Sequence, residues 1–307
     1  MGARRRRALE DEQIWPVRWS QKRRLEFIEF RLLWDGRVNR ADLINFFGIS
    51  VPQASLDLAK YRELAPANAV YDSTEKTYVA GSSFASVLVS NSADFYLNRI
   101  LAVESGNLEL SSTFLAWRPP MGIVQYPVRT VEPLTLRIIL RAIRQRRSVA
   151  IAYQSMSAAV PAERKIAPHA LAFDGFRWHA RAFCHQHRDY RDFVLARVLG
   201  IRAEDVFDID PNADVDWHRF VEAIIIPGAG LSVSQRKVIE LDYGMTSGRL
   251  VLRVREALLF YYLKHLGLLY GPEDSPPTDQ IELANRKQLV PFFDKHGMHP
   301  TRELEGI

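Results

Sequence analysis

Apolar positions recur at helical spacing in SQKRRLEFIEFRLLW (20–34), where Leu25, Ile28 and Leu32 make one stripe. Ser20 is expected as the N-cap and Asp35-Gly36 as the stop. A second, shorter helix is predicted from Arg40-Ala41 through Leu43, Ile44, Phe46 and Phe47 to Gly48. A third follows Ile49, with Ser50 as N-cap and Pro52 in the first turn, where a missing N–H costs nothing. It runs through Ala54, Leu56, Leu58, Ala59, Tyr61 and Leu64. Between Ala65 and Val79 the period falls to two around the turn residues Asp72 to Thr74, which predicts a β-hairpin. Two short helices across a Gly-Ile turn, followed by a hairpin, make a winged helix-turn-helix pattern.

Helical periodicity returns at 92–104 through Phe95, Leu97, Ile100 and Leu101, and then TFLAWRPPMGIVQYPVR breaks every regular pattern. Pro133 to Arg146 is an amphipathic helix that should bury Leu136, Ile139, Leu140 and Ile143, with Arg137, Arg141 and Arg144 on another face. Strand alternation follows at Val149–Ser155, Phe176–His187 and Phe193–Leu199. In the middle run Arg177, His179, Arg181, Phe183, His185 and His187 share one face, opposite Trp178, Ala180, Ala182 and Cys184. Short strands after a helix predict a small, strongly bent antiparallel sheet or half-barrel. Asp205–Asp216, acidic and containing Pro211, is expected to be a linker, and Pro227-Gly228 another boundary. Two strands are expected at Gln235–Tyr243 and Arg249–Val254, then a helix over Glu256–Leu266 ended by Gly267. The fold class is α+β, multidomain: 1–82 a winged helix, 83–132 a helical and extended connector, 133–210 a small bent sheet, and 211–307 a small α+β unit.

Charge sharpens this division. The whole chain carries a formal +5, yet 133–202 alone has 13 Lys or Arg against 4 Asp or Glu. Residues 203–307 have 11 against 17, so the basic character is confined to the front and the middle. Arg and His set beside Tyr and Trp on a small sheet suggest a pocket for an anionic, planar ligand. In the winged helix the residues expected toward DNA are Ser50, Gln53, Ser55, Lys60 and Tyr61 of the third helix, with Arg37 and Arg40 on phosphates and Lys76 in the wing. The arginine run Arg4–Arg7 reads as an arm toward phosphate or a minor groove. One cysteine, Cys184, precludes an intramolecular disulfide and fits a cytoplasmic protein. The basic N-terminus lacks an apolar stretch after it, so no secretory signal is expected there. No run approaches 18 apolar residues, so no membrane partner is expected. His179, Cys184, His185 and His187 are too spread along extended chain for one tetrahedral metal site, and no metal or other cofactor is expected.

The order I-x-Y-x-S at 151–155, a basic residue ahead of P-H-A-L at 168–171, then GFRW at 175–178 and F-x-L-x-R-V at 193–198 resembles the WYL domain of bacterial transcription regulators. Of the namesake triad Trp178 is kept, while His179 and Ala180 stand where Tyr and Leu are usual. With the winged helix in front and LSVSQRKVIELDYGM…LRVREALLFYYLKHLGL behind, the whole chain resembles three-part WYL repressors of the phage-defence-associated (BREX/CBASS-type) family. That resemblance implies an Sm/SH3-like central domain, a C-terminal dimerisation domain, a homodimer on a palindromic double-stranded DNA operator, and a nucleotide or nucleic-acid-like effector. It places the effector pocket on Tyr153, Ser155, Arg164, His169, His179, Arg181 and Arg197, with Arg188 as a neighbour. His179 would keep hydrogen bonding there and add a pH-sensitive group.

Two other functions compete with a ligand-responsive repressor. A nucleic-acid-processing enzyme would use the basic middle as a channel, but Glu163, Asp174, Asp189 and Asp192 do not cluster for two-metal chemistry. No catalytic residue is assigned. A single-strand nucleic-acid-binding scaffold would need no transcriptional output. For the rear domain, large apolar side chains on short elements fit dimerisation and core packing alike.

Overall fold

The computed structural model describes residues 19–124, 127, 129–206, 210–269 and 280–295. The arginine run 4–7 lies outside them, as does part of the expected 205–216 linker. The chain divides into two compact units, Met1–Tyr126 and Pro127–Ile307.

In the first unit α1 (Trp19–Asp35) is followed by β1 (Arg37–Val38), α2 (Arg40–Phe47) and α3 (Val51–Leu64). Ser20 lies inside the first turn of α1 instead of capping it. Asn39 and Asp42 form a reciprocal capping box on α2, and Gly48 ends it in the left-handed conformation (φ 64°) that glycine adopts without strain. Ser50 caps α3 by accepting from the Gln53 N–H. The wing is a three-stranded sheet in the order β1-β3-β2, with β2 (Ala69–Asp72) and β3 (Thr77–Ala80) joined at an Asp72 turn. The segment expected as a connector completes this unit's core: from α4 (Ala93–Glu104) Ile100 is buried, as are Phe114 and Leu115 beyond it. Phe114 meets Phe27, Phe30 and Phe46 ring to ring. Aromatic side chains so far apart along the chain give no local periodicity, which is why the sequence pattern does not join this segment to the winged helix.

The second unit opens on α5 (Pro133–Gln145), which buries Thr135, Ile139 and Ala142. Leu140, expected inside, is 47% exposed. Helix α5 packs on a five-stranded antiparallel sheet in the order β7-β6-β5-β4-β8. Its strands are β4 (Arg147–Tyr153), β5 (Ala162–Phe173), β6 (Trp178–Cys184), β7 (Asp189–Val194) and β8 (Val198–Val206). The longest, β5, has no matching expectation, because its Pro168 and mixed polarity hide the alternation. A bulge between Pro168 and Ala170 accommodates both the proline and His169. The expected strand 193–199 is instead the end of β7, a 3₁₀ turn at Leu195–Arg197, and the start of β8.

After that sheet, α6 (Val215–His218) leads into β9 (Phe220–Pro227), α7 (Val233–Asp242), β10 (Leu250–Arg255), α8 (Glu256–His265), β11 (Ile281–Leu283) and α9 (Val290–Lys295). The strands order β10-β9-β11. Gln235–Tyr243, expected as a strand, falls in α7 and the residue that caps it. The capping box Ser232/Gln235 outweighs the β-branched Val238 and Ile239 there. Among the described residues no helix is long and apolar enough to cross a membrane.

Candidate nucleic-acid interface and effector domain

The third helix and the wing bring part of the expected DNA set together. Arg40, Ser55 and Lys76 line one recess of about 230 Å³ with Asn39, Leu58, Tyr71 and Tyr78. Lys76 takes a left-handed backbone (φ 52°), which turns the wing at that point. Arg37 and Arg40 are exposed, and none of Arg37, Arg40 and Lys76 makes an ion pair among the described residues. Val51 and Leu56 of α3 stand 53% and 63% exposed. Helical spacing assigns Leu56 to the core, because spacing alone does not reveal which of two faces is buried.

Other members of the set have internal work. Gln53 donates its amide to Asp57 at 3.1 Å, Ser55 donates to the Val51 carbonyl, and Lys60 pairs with Glu63 at 3.0 Å. Tyr61 is corrected outright: it is 0% exposed and cannot reach DNA. Its hydroxyl donates to Glu29 and accepts from Asn68, each at 3.0 Å, and burial pushes its pKa up. Glu29 also accepts from the N–H groups of Val87, Leu88 and Val89 at 2.7–2.9 Å. Tyr61 therefore ties α3 to α1 and to the chain after the wing. In the sequence the position looks available because Tyr is amphipathic; the buried acid opposite it is 32 residues away.

The central domain divides the expected pocket into three places. Arg181 is 5% exposed, and its fork grips Asp214 through Nε (2.7 Å) and Nη2 (2.9 Å), with Asp192 at 3.3 Å from Nη1. His169 Nε2 lies 2.8 Å from the same Asp214, and Tyr261 of α8 donates to Asp192 at 3.1 Å. Burial alone would raise the Asp214 carboxyl, but His169, Arg181 and the Trp217 N–H hold it far below the ordinary range. For Arg181 burial opposes the charge and the two carboxylates reinforce it, with a raised pKa as the outcome. His179 belongs to a second cluster, with Nε2 2.9 Å from Asp174 Oδ2 beside the Arg177 guanidinium. Arg181, His169 and His179 are thus each matched by a carboxylate of the same chain, while His169 also lines a recess at the end of α5. A buried cation without a partner is strongly disfavoured, and Arg181 meets that requirement with Asp214 and Asp192.

The third place keeps its cation free. At the end of β4 the Gln154 N–H donates to the Arg197 carbonyl, which sets the backbone of Tyr153 to Ser155 beside Arg197. The Tyr153 hydroxyl accepts from the Val194 N–H at 3.2 Å, and Ser155 faces Ser157. Arg197 makes no ion pair among the described residues. Arg164 reaches Gln186, and Arg188 is exposed on the β6–β7 turn with φ 51°. The residues that sequence reasoning missed are Asp192, Asp214 and Tyr261. Local composition puts Asp214 in a linker, and only the folded chain shows it against Arg181, 33 residues earlier. Among the described residues no group of three or more His, Cys, Asp or Glu could hold a metal ion.

Comparison with known proteins gives the same three parts. The BrxR transcriptional regulator winged helix-turn-helix domain matches residues 20–102, the WYL domain 134–203, and the BrxR C-terminal dimerization domain 220–289. A protein of Stenotrophomonas maltophilia named "DNA-binding transcriptional repressor CapW" is 41% identical over 292 residues, covering 93% of this chain and 97% of that one. Proteins of the same name from Escherichia coli and Pseudomonas aeruginosa are 41% and 40% identical over 274 residues, covering 89% of this chain and 92% of theirs. With such identity along nearly the full length of each relative, this chain belongs to the CapW family of winged-helix, WYL-domain regulators.

Proposed function

We propose that this protein is a homodimeric, cytoplasmic transcriptional repressor that binds a palindromic operator of a phage-defence operon and responds to an anionic, nucleotide-like effector through its WYL domain. The observation that carries DNA binding is the recess between α3 and the wing, where Arg40, Lys76 and Ser55 converge with no acid among the lining residues. The relatives' printed name supports repression, and the match to a dimerization domain supports a two-fold protein suited to two half-sites. A nucleic-acid-processing enzyme fits less well: Asp174, Asp192 and Asp214 are each locked to Arg or His and offer no open carboxylate pair. In the WYL domain, Tyr153, Ser155 and Arg197, with Arg188 exposed on the β6–β7 turn, are the expected pocket residues that meet no carboxylate among the described residues. A ligand there shifts operator affinity only by its differential affinity for the two arrangements of the dimer.

Footprinting on DNA flanking the gene tests the reading. A protected inverted repeat is expected; equal affinity and equal salt slope on random duplex would sink it. For the effector, Arg197→Ala should keep operator binding and lose release by nucleotides or oligonucleotides.

A further inference from the structure

A second cluster of unpaired cations stands on the WYL domain, apart from Tyr153, Ser155 and Arg197. Where α5 ends, Arg146 and Arg147 line a recess of about 60 Å³ together with Ile143, Pro168, His169 and Pro211. One water needs roughly 10–15 Å³, so the recess is large enough for a small oxyanion such as phosphate. Neither Arg146 nor Arg147 has an ion pair or hydrogen-bond partner for its guanidinium among the described residues. This sets them apart from Arg177, Arg181 and Arg202 of the same domain, which all pair with carboxylates. Arg146 also holds a left-handed backbone (φ 52°, ψ 54°) as the C-cap of α5, a conformation that costs a non-glycine residue energy and is concentrated at functional sites. Upstream, Arg137, Arg141 and Arg144 follow at i, i+4 and i+7 on α5, exposed and likewise unpaired, and extend the positive field to the recess.

The wall opposite the arginines connects to the interior. His169 sits at the β5 bulge and shares Asp214 with Arg181. Pro211 begins the 3₁₀ turn Pro211–Ala213, and Asp214, the next residue, caps α6 by accepting from the Trp217 N–H. An anion in the recess is therefore next to the imidazole that holds Asp214, on the segment leading from the WYL sheet to the C-terminal domain.

We propose that the recess of Arg146, Arg147 and His169 binds a phosphate group, and that its occupant competes with Asp214 for His169. Asp214 then acts as the resident carboxylate that a phosphate partly replaces, loosening the segment that enters the C-terminal domain. This rests on the reading that the WYL domain senses an anion, and it adds to that reading two arginines, Arg146 and Arg147, that the sequence did not mark.

The test uses the full-length protein and three probes: inorganic phosphate, thymidine monophosphate and a short oligothymidylate, each titrated by calorimetry. Against wild type, R146A/R147A should bind roughly tenfold more weakly or worse, since two charge-assisted hydrogen-bonding groups are removed; a circular-dichroism melt checks that it is folded. H169Q, which removes the imidazole and keeps a side-chain amide that can donate to Asp214, should weaken binding less. Binding of phosphate and monophosphate alike points to a free or terminal phosphate, whereas binding of the oligomer alone points to a strand that also uses Arg137, Arg141 and Arg144. The proposal is overturned if none of the probes binds wild type, or if the double variant binds them equally well. Operator gel shifts in the same samples separate the two readings. Phosphate bound with no change in operator affinity sinks the effector reading and keeps the site. Full release of operator from R146A/R147A by one of these probes sinks the site and keeps the effector.

Discussion

The winged helix and the WYL domain are both rich in arginine, and their sharpest contrast lies between the exposed cations of the one and the Arg181 network of the other. In the winged helix Arg37, Arg40 and Lys76 stand in solvent outside any ion pair among the described residues, so their charge is open to a phosphate backbone. In the WYL domain Arg181, His169 and His179 are withdrawn from solvent and closed against Asp214, Asp192 and Asp174. The lesson is physical: a local excess of positive charge says that anions are attracted, and burial decides whether the anion is a ligand or a carboxylate of the same chain.

This contrast can be broken most sharply at Arg181. Replacing it by Ala leaves Asp214 and Asp192 buried without their shared cation and should cost about 3–5 kcal/mol of stability, read by urea unfolding; a loss under about 1 kcal/mol would mean the network is open to water. The same network predicts an acid limb. Asp214 and Asp174 have folded pKa values far below the ordinary carboxylate value, so their contribution is complete above the unfolded value of about 3.9. It is lost as pH falls from there toward the folded values. Stability measured from about pH 6 downward should therefore fall steeply only below about pH 4, and D214N should flatten that fall.

On the winged-helix side Tyr61→Phe should cost about 1–3 kcal/mol of stability through the unmet Glu29 and Asn68 groups. Its effect on operator affinity in the folded protein should be small. A large affinity loss without destabilisation would return Tyr61 to the interface. Arg40→Ala and Lys76→Ala should do the reverse: an unchanged melting temperature, weaker operator binding, and a salt slope reduced by about 0.9 for each phosphate no longer neutralised. The smallest effect is expected at Lys60. Its exposed pair with Glu63 contributes under about 1 kcal/mol, so Lys60→Ala should alter stability little and reports mainly whether Lys60 touches DNA.

Much of the architecture is written locally. Caps at Asn39 and Ser50, the stop at Gly48 and the Asp72 turn each act over a few residues, so the helix-turn-helix and wing can be read directly. The alternation in β6 likewise puts His179 and Arg181 on the face opposite Ala180, Ala182 and Cys184, which are fully buried. Reading fails where the deciding partner is distant or the local pattern is masked. The helix at Val233–Asp242 carries strand-like side chains, and β5 hides behind a proline and a bulge.

By itself the sequence determined the order of parts, the winged-helix face and the concentration of cations in the middle, because caps, periodicity and charge are properties of neighbouring residues. Only the tertiary structure decided which cations remain available. Asp214 reaches Arg181 across 33 residues and Tyr61 meets Glu29 across 32, pairings that no local pattern encodes. Burial then makes those pairings obligatory, since a charge removed from water must find its counter-charge within the fold. Among the described residues, Arg197, Arg146 and Arg147 are cations of the WYL domain that the fold leaves outside any ion pair.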